Sequence, residues 1–108
     1  MTHTTELYFE CHVTVEPVYG ERLERLKAIA AEPGIKFRVA DLLMRKRMED
    51  TPERSSFDTF CTGRDVIYIN LEERMCNLVE ALFDDGFAVW RYKIENTLLD
   101  VRCKPAGA

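Results

Sequence analysis

The stretch LYFECHVTVE, residues 7–16, alternates without a break: Leu7, Phe9, Cys11, Val13 and Val15 fall on one side, Tyr8, Glu10, His12, Thr14 and Glu16 on the other. Successive side chains of an extended chain point to opposite faces, so this pattern predicts a strand with one face buried and one in water. Pro17 and Gly20 end it. From Glu21 the period changes: Leu23, Leu26, Ile29 and Ala30 recur at helical spacing, Glu21 and Arg25 stand one turn apart on the surface, and Pro33-Gly34 closes the helix.

Alternation returns in IKFRVADLLMRK, residues 35–46, where Ile35, Phe37 and Val39 share a phase that Leu42 and Met44 break, which predicts a bulge or bend near Ala40-Asp41. The polar run MEDTPERSS, residues 48–56, has too little apolar mass to pack and is expected to be a mobile loop. FDTFCT, residues 57–62, is a third strand. Residues 63–69 stay open between an extension of that strand, a separate bend and the start of the next helix. Asn70 as cap with Glu73 three residues on forms a capping box, and Leu71, Met75, Leu78, Val79, Leu82 and Phe83 make one apolar stripe closed by Asp84-Asp85-Gly86. In the last segment Ala88, Trp90, Tyr92 and Ile94 alternate with Val89, Arg91, Lys93 and Glu95, a strand whose first set is expected to face the helices. TLLDVR, residues 97–102, either prolongs it past a kink or folds back as a fifth strand.

The order strand, helix, strand, strand, helix, strand resolves most simply as an α+β, ferredoxin-like βαββαβ sandwich, an antiparallel sheet with two helices on one face. Its first and third strands lie side by side in the middle and the fourth flanks the first. Residues 7–102 form this single domain, with 1–6 and 103–108 flexible.

Composition narrows the function classes. A net charge of −4 on 108 residues, with pI near 5.2, makes nucleic acid an unlikely partner, because backbone affinity needs clustered Lys and Arg. The run Arg45-Lys46-Arg47 is a local exception, read as a solvated strand end or loop. No apolar run approaches the ~20 residues of a membrane helix, and the N-terminus lacks the basic-then-apolar layout of a signal peptide. A cytoplasmic protein without membrane association, with reduced thiols at Cys11, Cys61, Cys76 and Cys103, is the expectation. No two cysteines stand at CxxC spacing. Cys11 and His12 are adjacent in a strand and point to opposite faces, so no metal site is expected, and TGRD, residues 62–65, lacks the spacing of a P-loop or dinucleotide fingerprint, so no cofactor is expected either. Phase places either Cys61 or Thr62 outward, not both.

The uncovered sheet face is expected to carry Tyr8, Glu10, His12 and Thr14 beside Arg91, Lys93 and Glu95, with Thr62 and Arg64 on the third strand. An imidazole, which titrates near neutral pH, set among cations suits an anionic ligand. The triplet His12-Val13-Thr14 resembles the HxT motif of the two-histidine phosphoesterases, in which two such strands from two similar lobes hold a phosphate. The resemblance covers three residues and implies that His12 acts as general acid or base while the Thr14 hydroxyl binds a phosphate oxygen. His3 is the only other histidine, so the second imidazole of that family would come from a homodimer joined across the open faces.

Three readings follow. The first is a homodimeric, self-associating interaction module using the exposed sheet face or the terminal strand. The second is a binder of a phosphorylated or nucleotide-like small anion, with Glu10, Arg91, Lys93, Arg64 and Thr62 as ligand-binding residues. The third adds phosphoesterase-like hydrolysis by His12 and Thr14.

Overall fold

A computed structural model describes residues 2–4, 7–40 and 59–102. The alternating stretch becomes β2 (Tyr8–Val15). Its odd-numbered side chains Cys11, Val13 and Val15 are fully buried, as the phase requires. Helix α1 (Gly20–Ala30) lays Leu26, Ile29 and Ala30 onto them, and α2 (Tyr68–Asp84) adds Leu71, Met75, Leu78 and Leu82. All belong to one cluster with Ile35, Phe37 and Phe87, so both helices cover the same face of the sheet. The chain is therefore an α+β fold.

The four-stranded sheet runs β3 (Arg38–Ala40), β4 (Thr59–Asp65), β2, β5 (Val89–Thr97), with every neighbouring pair antiparallel. The first and third strands of this sheet are central and the fourth flanks the first, as expected from the element order. Backbone pairing also reaches beyond the sheet: β1 (Thr2–Thr4) and β6 (Asp100–Arg102) form a separate two-stranded ribbon. Of the two alternatives for TLLDVR, the chain prolongs β5 past a kink: β1 and β6 (Thr4 opposite Asp100) carry the β2–β5 pairing (Tyr8 opposite Thr97) onward with a one-residue shift. The Tyr8 hydroxyl donates to Asp100 Oδ2 at 2.9 Å and ties the ribbon to β2.

Several local readings are corrected. Helix α2 starts at Tyr68, two residues before Asn70, with Ile67 in the cap position and no side-chain cap bond; Asp65 Oδ1 instead accepts from the Ile67 amide at 2.9 Å. Residues 63–69 thus divide between an extended β4, a short bend and the first turn of α2. Phe83 is 60% exposed, because the buried stripe runs through Leu71, Met75, Leu78 and Leu82 and Phe83 lies beyond its edge. Trp90 and Tyr92 are not core residues. The β2–β5 register slips between Thr14, opposite Arg91, and Val15, opposite Val89, so Trp90 is an extra bulged residue. Val89 takes the inward place beside the core instead, and Tyr92 is 51% exposed.

Close contacts lock the ends of the elements. Gly63 on β4 lies under the Phe37 ring; a Cβ there would come within 2.5 Å of Phe37 Cε1. After α2, the Phe87 amide bonds to the Leu82 carbonyl at 2.9 Å and the Gly86 amide to that of Phe83 at 3.1 Å, with Gly86 at φ +79°. This is the Schellman termination that glycine favours. Asp85 in the same turn accepts from Arg22 Nη1 at 3.1 Å and from Arg25 Nη2 at 3.2 Å, clasping α1 to the end of α2. Arg22 also lies 3.6 Å over the Phe87 ring.

The bend expected near Ala40-Asp41 past its first residue, the 48–56 loop, Arg45-Lys46-Arg47 and the 103–108 tail fall outside the described residues. Among the described residues no helix is long and apolar enough to cross a membrane.

Candidate functional site

Residues paired across a sheet share a face, so the register defines what stands on the side away from the helices. One row crosses all four strands: Arg38 faces Thr62, Thr62 faces His12, and His12 faces Lys93. The row on one side of it is Arg64, Glu10 and Glu95; on the other, Phe60, Thr14 and Arg91. All seven residues singled out from the sequence, Glu10, His12, Thr14, Thr62, Arg64, Arg91 and Lys93, therefore lie in three adjacent rows of one face.

His12 is held from both sides. Its Nε2 lies 2.9 Å from Glu10 Oε1, and its Nδ1 lies 3.1 Å from Thr62 Oγ1. With the neutral ring protonated on Nε2, as the carboxylate favours, Glu10 accepts that proton and Nδ1 accepts from the Thr62 hydroxyl. The other Glu10 oxygen, Oε2, takes Arg64 Nε at 2.7 Å, and the Arg64 guanidinium stacks 4.9 Å from the Tyr8 ring. The resulting chain Arg64–Glu10–His12–Thr62 fixes the imidazole, which is half-buried with one edge in solvent.

Charge on this face is opposite to that of the whole protein. Arg38, Arg64, Arg91 and Lys93 stand against Glu10 and Glu95, although the chain carries a net −4. Two of these cations are engaged: Arg64 with Glu10, and Lys93 with Glu95, whose carboxyl is held below the usual range chiefly by the Lys93 hydrogen bond. Arg38 and Arg91, both exposed, have no ion-pair partner among the described residues.

Two sequence expectations change in detail. Thr14 does lie in the row of Arg91, yet it is only 4% exposed, a small side chain sunk between larger neighbours. Arg64, expected to reach an anion, is instead engaged by Glu10. Of Cys61 and Thr62, the hydroxyl is outward, while Cys61 is fully buried. Burial raises the Cys61 thiol to about 12, and the Cys11 thiol likewise to about 12, so neither is a nucleophile in the folded chain. Among the described residues no three His, Cys, Asp or Glu side chains gather as metal ligands would.

Arg38 is the residue the sequence reading passed over. Its signal was present: Ile35, Phe37 and Val39 share the inward phase, which puts Arg38 on the opposite face. What the phase left out was the neighbour, Thr62, reached only through the β3–β4 pairing.

Compared with protein-family models, with curated proteins and with solved structures, the chain matches none of them. The resemblance to the two-histidine phosphoesterases consequently rests on residues 12–14 alone.

Proposed function

We propose that the open sheet face binds a small, solvent-accessible anion of the phosphate type, a phosphorylated or nucleotide-like molecule. The observation that supports this most is the row Arg38–Thr62–His12–Lys93 with Arg91 beside it: an exposed cluster of cations around an imidazole on a protein that is acidic overall. Arg38 and Arg91 supply donors to a phosphate group in fork geometry, and Lys93 and His12 add single donors. Glu10 repels an anion little, because His12 and Arg64 already occupy both its oxygens.

The contact between Glu10 and His12 favours a second, hydrolytic reading of the same face. An imidazole oriented by a carboxylate is suited to proton transfer to or from a bound phosphoester and water. Thr14, buried in the next row, is the weaker member of that reading.

Binding is tested by thermal shift with inorganic phosphate, nucleoside monophosphates, cyclic nucleotides and, as the neutral control, a nucleoside. A ligand at 100 times its Kd adds ~2.7 kcal/mol of stability. The phosphorylated compounds are expected to raise the melting temperature of the natural chain and not that of Arg38→Gln/Arg91→Gln. Equal shifts in both proteins, or no shift with any anion, overturn the binding reading. Phosphate release from a diester by the natural chain and not by His12→Ala supports hydrolysis, and its absence with binding intact removes hydrolysis alone.

A further inference from the structure

The strand β5 closes one side of the sheet, and among the described residues no strand pairs with its other edge. An edge strand turns the N–H and C=O groups of alternate residues away from its neighbour, and over the length of β5 these form a template for a further strand. Edges are commonly protected by charge, and β5 carries Arg91, Lys93 and Glu95 on its open-face side, with Arg91 and Glu95 exposed. These charges meet opposite charges, with no like pair, in one register only.

We propose that the partner is a second copy of this chain, joined β5 to β5 in antiparallel fashion about a two-fold axis through Ile94. The axis stands normal to the sheet, so facing residues must share a face and the axis must pass through a residue rather than between two. An axis through Lys93 pairs Arg91 with Glu95 but sets the ammonium against its own copy at the centre, one through Glu95 sets the carboxylate against its own copy, and one through Tyr92 sets Arg91 against Lys93. Like charges directly opposite each other oppose pairing. The axis through Ile94 alone places Lys93 opposite Glu95 of the second copy and repeats that pair across the two-fold. The ion pair already made along the strand between Lys93 and Glu95 becomes one side of a four-charge ring of alternating sign.

Apolar exposure agrees with the same register. Leu98, 76% exposed just past the end of β5, falls opposite Trp90 of the second copy, the bulged residue left half-buried at the other end of the strand. The product is a continuous eight-stranded sheet whose two open faces look the same way, with helices on the other side. None of the interface contacts needs a ligand, although Lys93 belongs both to this interface and to the proposed anion site.

Sedimentation velocity over a range of concentrations tests it. The natural chain is expected to sediment at twice its 12.6 kDa. Lys93→Glu and Glu95→Lys each place like charges across the two-fold and are expected to weaken association at least tenfold, whereas Lys93→Glu with Glu95→Lys restores the alternation and the dimer. A chain that is monomeric at every concentration, or single reversals that associate as well as the natural chain, overturn the proposal. Hydrogen exchange on the natural chain gives a readout free of folding defects: amides of β5 gain protection as concentration rises. Protection that is independent of concentration contradicts the interface whatever the variants do.

Discussion

Glu10 and His12, two residues apart on β2, meet at 2.9 Å between Oε1 and Nε2, and the remaining ring nitrogen is taken by Thr62 from the neighbouring strand at 3.1 Å. The strand pleat puts residues i and i+2 on one face, so the carboxylate reaches the ring without distortion. We expect His12→Ala to lower stability by about 0.5–1.5 kcal/mol, the net worth of an ordinary hydrogen bond. A Glu10→Gln/His12→Ala double-mutant cycle followed by urea denaturation measures the coupling. Strict additivity would show that the pair contributes nothing to the fold.

Gly63 is required by Phe37. The ring is 4% exposed and surrounded by core, so it has no room to retreat from a methyl group 2.5 Å away. Gly63→Ala is expected to destabilise by about 1–3 kcal/mol, the usual cost of overpacking. An unchanged urea midpoint would mean that Phe37 does not pack on this glycine.

Lys36 occupies the left-handed region at φ +52°, where a Cβ is crowded by the following carbonyl. Lys36→Gly relieves that crowding and is expected to raise stability by up to ~1 kcal/mol. The reverse exchange at Gly86, φ +79°, is expected to lower it by a similar amount, since it strains the termination of α2. Thermal melts of the two variants should move in opposite directions.

Asp85 confers an acid dependence. The Arg25 hydrogen bond chiefly, and Arg22 with it, hold its carboxyl below the ordinary value of 3.8. The folded chain thus binds this proton more weakly than the unfolded chain, so the stabilisation is present above about pH 4 and is lost as pH falls through the depressed value. Stability of the natural chain should fall more steeply below pH 4 than that of Asp85→Asn. Superimposable profiles would contradict the clasp between Asp85 and α1.

Thiol reactivity should separate the cysteines by burial. Cys76 is exposed on α2, whereas Cys11 and Cys61 are buried with thiols raised to about 12. Peptide mapping after brief alkylation at neutral pH is expected to find Cys76 modified, and Cys11 and Cys61 modified only in denaturant. Modification of Cys61 in the folded chain would contradict its place in the core.

The local sequence determined the elements whose period is unambiguous. Alternation over residues 7–16 placed Cys11, Val13 and Val15 inward and Glu10, His12 and Thr14 on the opposite face, and the stripe through Leu71, Met75, Leu78 and Leu82 defined the buried side of α2. Both follow from chain geometry alone, since a residue's face within a regular element depends only on its spacing from neighbours. Tertiary pairing decided the rest. The bulge at Trp90 shifts the phase of β5 by one residue, so Val89 rather than Trp90 meets the core, and nothing within residues 87–95 marks where the slip falls. Arg38, Thr62 and Lys93 join His12 in one row although they are distant in the chain. Periodicity says which way a side chain points, but only the register between strands says what it meets.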